Sequence, residues 1–558
     1  MNNASFEKYF SEKNLKLAWE RVLRWTDKTA KDHFGIKSFR LDFEKNIQLL
    51  NDKLLKGKFE PSRPVKFYVP KSSYMQRTKS MLLIEDAIVY QAIANIIASV
   101  AYDKLQQNDY FVFGSVLSLE VKLGPDILNQ IDDSDEVNLF FFKNYLGLYK
   151  KFADSVNKSI IEDKVTYKFE TDITGFFDSI SHYNLFELLS EEFKVEIEIL
   201  DLLEKCLNMW AGTREKFTPG IGIPQGAQPS FFFANILLHN LDNILISDAL
   251  KYYRYMDDIR IYGFSEAEMI KALIKIDSYL KGFGLALNAK KTSKQMVTND
   301  ETDDSIIRFF QYDSGSESIS GHLNDFSQLA EQDSQENTDD IIVLTQENDI
   351  IDFWKSEKEF VERELPKLFI VDNDQIEIVR DRKIEDREIL NLGYKYRSAL
   401  KKLNSFNQKV QPSEELLKYW LILLKKYFWR ADQICWVLYN YRQNSELKRE
   451  LNNLINDFIP YEWFRHQIYL CLNITQQFSA KELQDLFYKL KNEKSYYSRW
   501  ALYKLLIIHS NNDQFFTSVM REIQGEENFY MKKELLYYSN KVKDKSSNTD
   551  QIMEFLGL

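Results

Sequence analysis

The sequence predicts an α+β unit followed by an all-α one. Three observations carry this reading. Strand-like alternation and helical periodicity are interleaved over the first 295 residues, a polar acidic stretch runs from Asp313 to about Asp349, and the pattern is helical from about Ile389 onward. With 558 residues, 44% hydrophobic and 14% aromatic, the chain has material for two or three packed cores.

The elements follow in order. "RPVKFYVPK", Arg63 to Lys71, reads as a strand bounded by prolines. "MLLIEDAIVYQAIANIIASVAYDKL" repeats apolar residues at Ile84, Ile88, Ala92 and Ile93, a helical spacing. "TYKFETDITGFF" alternates through Tyr167, Phe169 and Thr171 before a turn at Gly175, and "PSFFFANILLHNLDNIL" is a long apolar helix pattern. "YYRYMDDIRIYG", Tyr252 to Gly263, is a strand–turn–strand candidate with two adjacent carboxylates at its centre. In the helical part, Trp463, Arg465 and Tyr469 recur 34 residues later as Tyr497, Arg499 and Tyr503, and again as Met531, Lys533 and Tyr537. That period predicts stacked helical hairpins, each covering the apolar face of the next.

Composition narrows the setting. The N-terminus carries Glu7, Lys8, Glu12 and Lys13 with no apolar run of signal-peptide type, and "YWLILL" at Tyr419 to Leu424 is too short to span a bilayer, so no membrane association is expected. Cys206, Cys435 and Cys471 are too far apart in sequence for a disulfide framework or a zinc site, which points to a reducing, cytoplasmic compartment. The net charge of −11 is unevenly spread: residues 296–385 hold 24 acidic and 8 basic residues, leaving 65 basic against 60 acidic elsewhere. The charge balance is neutral evidence about a polyanionic partner.

Three short stretches carry the chemistry. "FETDITGFFDSIS" ends a strand pattern on Asp172, "GIGIPQGAQPS" is a Gly-Pro-Gln-Gly turn opening a helix, and "YMDD" holds Asp257 and Asp258 at a hairpin tip. Adjacent carboxylates in apolar surroundings repel one another unless divalent cations lie between them. Hard Mg2+ takes carboxylate oxygens together with phosphates and water. Two such ions about 4 Å apart stabilise both the attacking and the leaving oxygen of phosphoryl transfer.

"YMDD" resembles the catalytic hairpin of reverse transcriptases, "DITGFFD" their first catalytic motif and "GIPQG" their template- and nucleotide-contacting turn, in the family's order. "LLIEDAIVYQAI" is similar to a fingers segment and "LALNAKKT" to the motif that sets a lysine, Lys291, near the incoming nucleotide; "RFFQY" (308–312) aligns weakly with the primer grip. The resemblance implies a right-hand polymerase fold with fingers and a palm sheet over residues 61–312. Before it lies an N-terminal helical extension (1–60), and after it an acidic linker or thumb-like region (313–388) and an α-helical repeat domain (389–558). It implies Asp172 and Asp257 as catalytic residues and ligands of two Mg2+ ions, with Mn2+ as an alternative, the Ile173 carbonyl as an extra ligand, and Asp258 as the third aspartate of the site. Phe177, five residues after Asp172, matches the aromatic gate against a ribose 2′-hydroxyl. Gln225 and Gly226 are implied at the nascent base pair. Lys71, Arg77 and Lys79 are the cations offered to the triphosphate, although no proline follows the arginine as it does in the family.

No RNase H, integrase, protease or HNH nuclease pattern follows the polymerase motifs. A polymerase core with a helical tail looks like the abortive-infection and defence-associated reverse transcriptases of bacteria. That implies anti-phage defence, homo-oligomers, dNTPs as substrates and a DNA product. Some relatives prime from a protein hydroxyl and make untemplated DNA, and others copy a dedicated non-coding RNA. Two other classes stand beside this one: a retron- or maturase-like enzyme with a bound structured RNA, and a non-catalytic polymerase-fold scaffold. The scaffold expects eroded aspartates, and all three are present.

Overall fold

The computed structural model describes residues 9–543 except 119–138, 247–250, 290–291, 297–346, 380–385 and short breaks at 26, 72–73, 107, 109, 373–374, 407, 458–460, 474–477 and 511. The chain forms two compact units. One comprises Met1–Lys66 and Lys79–Phe309, the other Phe67–Thr78 and Phe310–Leu558.

In the first unit, helix α1 (Glu12–Arg24) starts where the Ser11 hydroxyl accepts the Asn14 amide, with Glu12 in its first turn and Arg21 and Arg24 in its last, each sign matched to the helix dipole. After α1 come the paired strands β1 (Val65–Pro70) and β2 (Gln76–Met81), then α2 (Ile84–Gln106), against which α1 packs. By length and composition α2 is long and apolar enough to cross a membrane, unlike the shorter run "YWLILL". Asp86, Gln91 and Asn95 interrupt its apolar run and hide that length from inspection. The same residues show what the helix does here. Asp86 accepts the Ser62 amide, and Asn95 joins Arg21, Asn14 and Gln91 in a buried hydrogen-bond cluster, so α2 is a core helix of the unit.

A four-stranded antiparallel sheet lies at the centre. Helix α3 (Tyr145–Ile161) leads into β3 (Tyr167–Thr171); α4 (Gln228–Ile246) precedes β4 (Lys251–Tyr255) and β5 (Asp258–Gly263); α5 (Glu266–Gly282) and β6 (Ser293–Met296) complete it, in the order β4-β5-β3-β6. Alternation divides the side chains between two faces. Tyr252, Arg254, Ile259 and Ile261 share one face, which α4 and α5 cover, and the Tyr252 hydroxyl donates to Asp242 of α4 at 2.6 Å. Tyr253, Tyr255 and Arg260 share the other, which α3 covers: Ser159 bonds the Tyr253 hydroxyl, and Phe152 packs on Tyr255 and beneath the Arg260 guanidinium. Both faces of the sheet are thus filled, and its ends remain for chemistry.

The second unit opens with α6 (Glu347–Glu364) and a hairpin of β7 (Phe369–Asp372) and β8 (Gln375–Ile378), so the region read as an acidic linker contains regular structure. Residues 297–346, including most of the acidic stretch and "RFFQY", lie outside the described residues. Helices then follow: α7 (Asp386–Ser405), α8 (Leu417–Lys426), α9 (Ala431–Leu438), α10 (Glu462–Asn473), α11 (Ala480–Asn492), α12 (Tyr496–His509), α13 (Asp513–Gln524) and α14 (Phe529–Lys543). The residues 34 apart fall on α10, α12 and α14. Arg465 on α10 holds Glu493 with two bonds of 2.9 Å, and Arg499 on α12 holds Glu526 at 2.6 Å in the matching place. The tip of the β1–β2 hairpin belongs to this unit: Phe67 packs on Trp463 and Tyr497, Tyr74 stacks on Phe428, and the Tyr68 amide donates to Glu462.

Candidate active site

The site is built at one end of the sheet. In the β3–β5 ladder Thr171 faces Ile259, so the next residue of β3, Asp172, reaches the level at which β5 begins with Asp258. Beyond Asp172 the chain bridges Ile173 to Leu287: Asn288 donates to the Asp172 carbonyl and Thr174 to the Ala286 carbonyl. In that pattern the Ile173 carbonyl points away from Leu287, toward the β5 side of the strand.

Tyr255 pairs with Asp258, which leaves Met256 and Asp257 as a two-residue hairpin turn. Met256 has φ +55, a conformation in which the first residue of such a turn is ordinarily glycine. The turn presents Asp257, half-buried, at the sheet end that carries Asp172. Asp258 Oδ2 accepts from Arg260 at 3.3 Å, and Arg260 also lies 4.0 Å from Glu170.

Behind the turn is a buried polar network. Arg254 donates through Nε and Nη2 to the two oxygens of Asp242 at 2.7 and 2.6 Å, and through Nη1 to Asn235 and to the Met256 carbonyl. Burial alone would push the guanidinium down, but Asp242 outweighs it and the net shift is upward.

The "GIPQG" turn is tied to the segment after Asp172. The Ile223 amide donates to the Phe177 carbonyl at 2.9 Å, and His182 Nε2 bonds the Gly222 carbonyl at 2.7 Å. Burial pushes the His182 imidazole down, so its neutral form donates here. Phe177 is buried against Phe176 and Phe231, and Phe231 in turn meets Trp25. Gln225 receives the Ser80 amide on its carbonyl. Gly226, at φ +111, passes so close to Ala30 that a Cβ would lie 2.6 Å from that side chain. Its carbonyl accepts from the Trp25 indole at 2.8 Å.

The cations expected at the triphosphate separate. Lys79 is buried and ion-paired with Asp27 at 2.6 Å, and it also reaches Thr29. It is a core residue, which corrects its assignment to phosphate: an ammonium removed from water is held by its buried partner. Lys71 is exposed and Arg77 half-buried on the hairpin tip that packs in the second unit. Lys291 lies outside the described residues. Arg254, Asp242, Asn235, Arg260 and Trp25 were not singled out from sequence. An arginine two residues before the turn in an otherwise aromatic strand was the available signal.

Residues 124–356 match the family model described as reverse transcriptase (RNA-dependent DNA polymerase). The chain carries a reverse transcriptase domain. Asp172, Gln225, Gly226, Asp257 and Asp258 all fall within the match. Such domains are those of nucleotidyltransferases, RNA-directed DNA polymerases that use divalent ions such as Mg2+. An uncharacterized 91 kDa protein in the cob intron of Schizosaccharomyces pombe is 40% identical over 81 residues, 14% of this chain and 10% of that protein. Telomerase from Candida albicans, solved in complex with a fragment of telomeric RNA, matches 73% of this chain and 66% of its own, at 13% identity and a TM-score of 0.33. The apo telomerase of Candida tropicalis truncated from its C-terminal domain matches 42% of this chain and half of its own, at 16% identity and a TM-score of 0.30. The chain therefore spans a tenth of the curated relative it matches.

Among the described residues, no three His, Cys, Asp or Glu side chains gather into a closed metal site. The donors beside the reverse transcriptase turn nonetheless fit a hard divalent ion. Two carboxylates from adjacent strands and a backbone carbonyl are oxygen ligands, and such ions keep further positions for phosphate and water. An open donor set of this kind suits an ion that arrives with its substrate.

Proposed function

We propose that this chain is a DNA polymerase that joins deoxynucleotides by metal-assisted phosphoryl transfer. The observation that carries the reading is the strand register, which sets Asp172 level with the start of β5 beside the Met256–Asp257 turn, inside a reverse transcriptase domain. The Asp172 and Asp257 carboxylates and the Ile173 carbonyl would hold two Mg2+ ions, or Mn2+ in their place, with Asp258 and Arg260 supporting the hairpin. When bound, the ions supply positive charge to the attacking 3′-oxygen and the leaving pyrophosphate. Phe177 would bar a ribose 2′-hydroxyl, Gln225 and Gly226 would meet the new base pair, and Lys71, Arg77 and Lys291 are the cations for the triphosphate.

The biological setting is also a proposal. A helical stretch that follows the polymerase motifs in the chain supports a role in bacterial anti-phage defence as a cytoplasmic homo-oligomer, with protein-primed, untemplated synthesis as one mode. The likeness to a protein of a cob intron supports a second reading, a maturase-like enzyme copying a dedicated bound RNA.

The test is to incubate the purified chain with Mg2+ and dNTPs, with and without added RNA template, and to run the products before and after protease and RNase. A product entering the gel only after proteolysis indicates protein priming, and activity lost to RNase indicates a templating RNA. Asp257→Ala should reduce incorporation by at least about 100-fold with the thermal midpoint preserved. Normal incorporation by that variant would sink the metal assignment.

A further inference from the structure

The turn that presents Asp257 is strained, and the strain has a visible counterweight. A non-glycine residue at positive φ persists only where its surroundings over-determine it. Around Met256 they do so from two sides. On the inner side, Arg254 Nη1 donates to the Met256 carbonyl at 2.8 Å, fixing the peptide unit that leads into Asp257. The guanidinium has little freedom of its own, because Asp242 takes its other edge bidentately, Asn235 Oδ1 accepts at 2.9 Å, and all three residues are buried. A fork held on one edge by a carboxylate directs its remaining donors in fixed directions, which a lysine cannot do.

On the outer side, the chain from Phe111 to Ser115 runs along β4. The Arg254 amide donates to the Phe111 carbonyl and the Phe113 amide to the Arg254 carbonyl, so the backbone of the same arginine is pinned as well. Gly114 then passes against the turn so closely that a Cβ there would collide with the Met256 nitrogen. Asn235 closes the circuit, since its Nδ2 donates to the Gly114 and Ser115 carbonyls while its Oδ1 accepts from Arg254. One asparagine therefore couples the inner brace to the outer one.

We propose that Arg254 is a positioning residue for the polymerase reaction. Through the Met256 carbonyl it holds the strained turn in the arrangement that sets the Asp257 carboxylate, with Asp242 aiming the guanidinium and Asn235 joining it to the 111–115 segment. The inference rests on Asp257 being a metal-holding residue, and it adds a residue that touches neither metal nor nucleotide.

Arg254→Lys keeps a charge opposite Asp242 but loses the fork, and Asn235→Ala keeps the Arg254–Asp242 pair but removes the coupling. Both are made in the full chain and compared by thermal unfolding, by hydrogen exchange at individual amides and by single-turnover dNTP incorporation over a Mg2+ series. In Arg254→Lys the amides of Met256 and Asp257 should exchange about tenfold faster or more, while those of Phe169 and Ile261 in the same sheet keep their protection. The incorporation rate should fall at least about tenfold and need more Mg2+, with the dNTP KM within about threefold. Asn235→Ala should show the same pattern more weakly, and it decides alone if Arg254→Lys gives no folded protein. A folded variant with wild-type rate and Mg2+ requirement overturns the proposal, and so does exchange that rises equally across the sheet. If Asp257→Ala retained activity, the metal assignment would fail, whereas the exchange data would still judge the brace.

Discussion

At Lys79 an ammonium and the Asp27 carboxylate are held 2.6 Å apart with both side chains almost wholly out of water. Lys79→Met leaves Asp27 charged and buried without its counter-ion, and should cost about 3 kcal/mol or more in denaturant unfolding. A lysine that served the triphosphate would instead raise the dNTP KM and leave stability alone. Phe177→Ala should open the site to ribonucleotides, measured as an rNTP-to-dNTP preference shifted about tenfold or more toward the ribose form. The two kinds of residue differ in legibility for a physical reason. The aspartates stand out because a charge in an apolar strand demands a use. Lys71, Arg77 and Lys79 share one stretch and one charge, and only burial separates them. Burial depends on Asp27, which lies 52 positions earlier in the chain and has no local signature.

At the level of elements, the hairpin was readable because two-residue turns between alternating strands have few alternatives. Its support was not. Arg254 and Asp242 are 12 positions apart on different elements, and Gly114 belongs to a segment with only bridge-type pairing. The prediction at this scale concerns that segment: Gly114→Ala should push the 111–115 segment away from the Met256 turn, lowering stability by about 1–3 kcal/mol and incorporation at least tenfold, measured together by calorimetry and primer extension. At the helical end, Ser479 and Glu482 form a reciprocal cap at the start of α11. Ser479→Ala should cost about 1 kcal/mol with no effect on incorporation. Helix α2 shows the opposite limit of legibility. Its polar residues read as breaks in an apolar run, although in the fold Asn95 bonds Arg21 and Asn14 of α1, Gln91 bonds Asn95 and Asp86 accepts the Ser62 amide, so each is satisfied inside the core.

At the scale of the whole molecule the two units answer acid through their own groups. His466 is buried in the second unit with its Nδ1 against the Tyr497 carbonyl, and burial pushes the imidazole down to about 3. An unfolded histidine takes up a proton near pH 6.5, so between that pH and about 3 the unfolded chain binds more protons than the native one. Stability from this group is therefore complete above about pH 6.5 and falls as pH drops, by up to about 1.4 kcal/mol per pH unit. His466→Gln should flatten the acid limb of the unfolding midpoint, and an unchanged limb would show that other groups govern it. The hairpin tip has a consequence in time as well as in space. Tyr68 finds its partner Glu462 only 394 residues later, which at translation speeds of 5–20 residues per second is a wait of roughly 20 to 80 s. Throughout that interval Phe67 lacks Trp463 and Tyr497, the aromatic neighbours against which it is buried in the fold. A polymerase fragment ending near residue 312 would never end that wait, so it should emerge from the ribosome as a client of chaperones rather than as a smaller working enzyme.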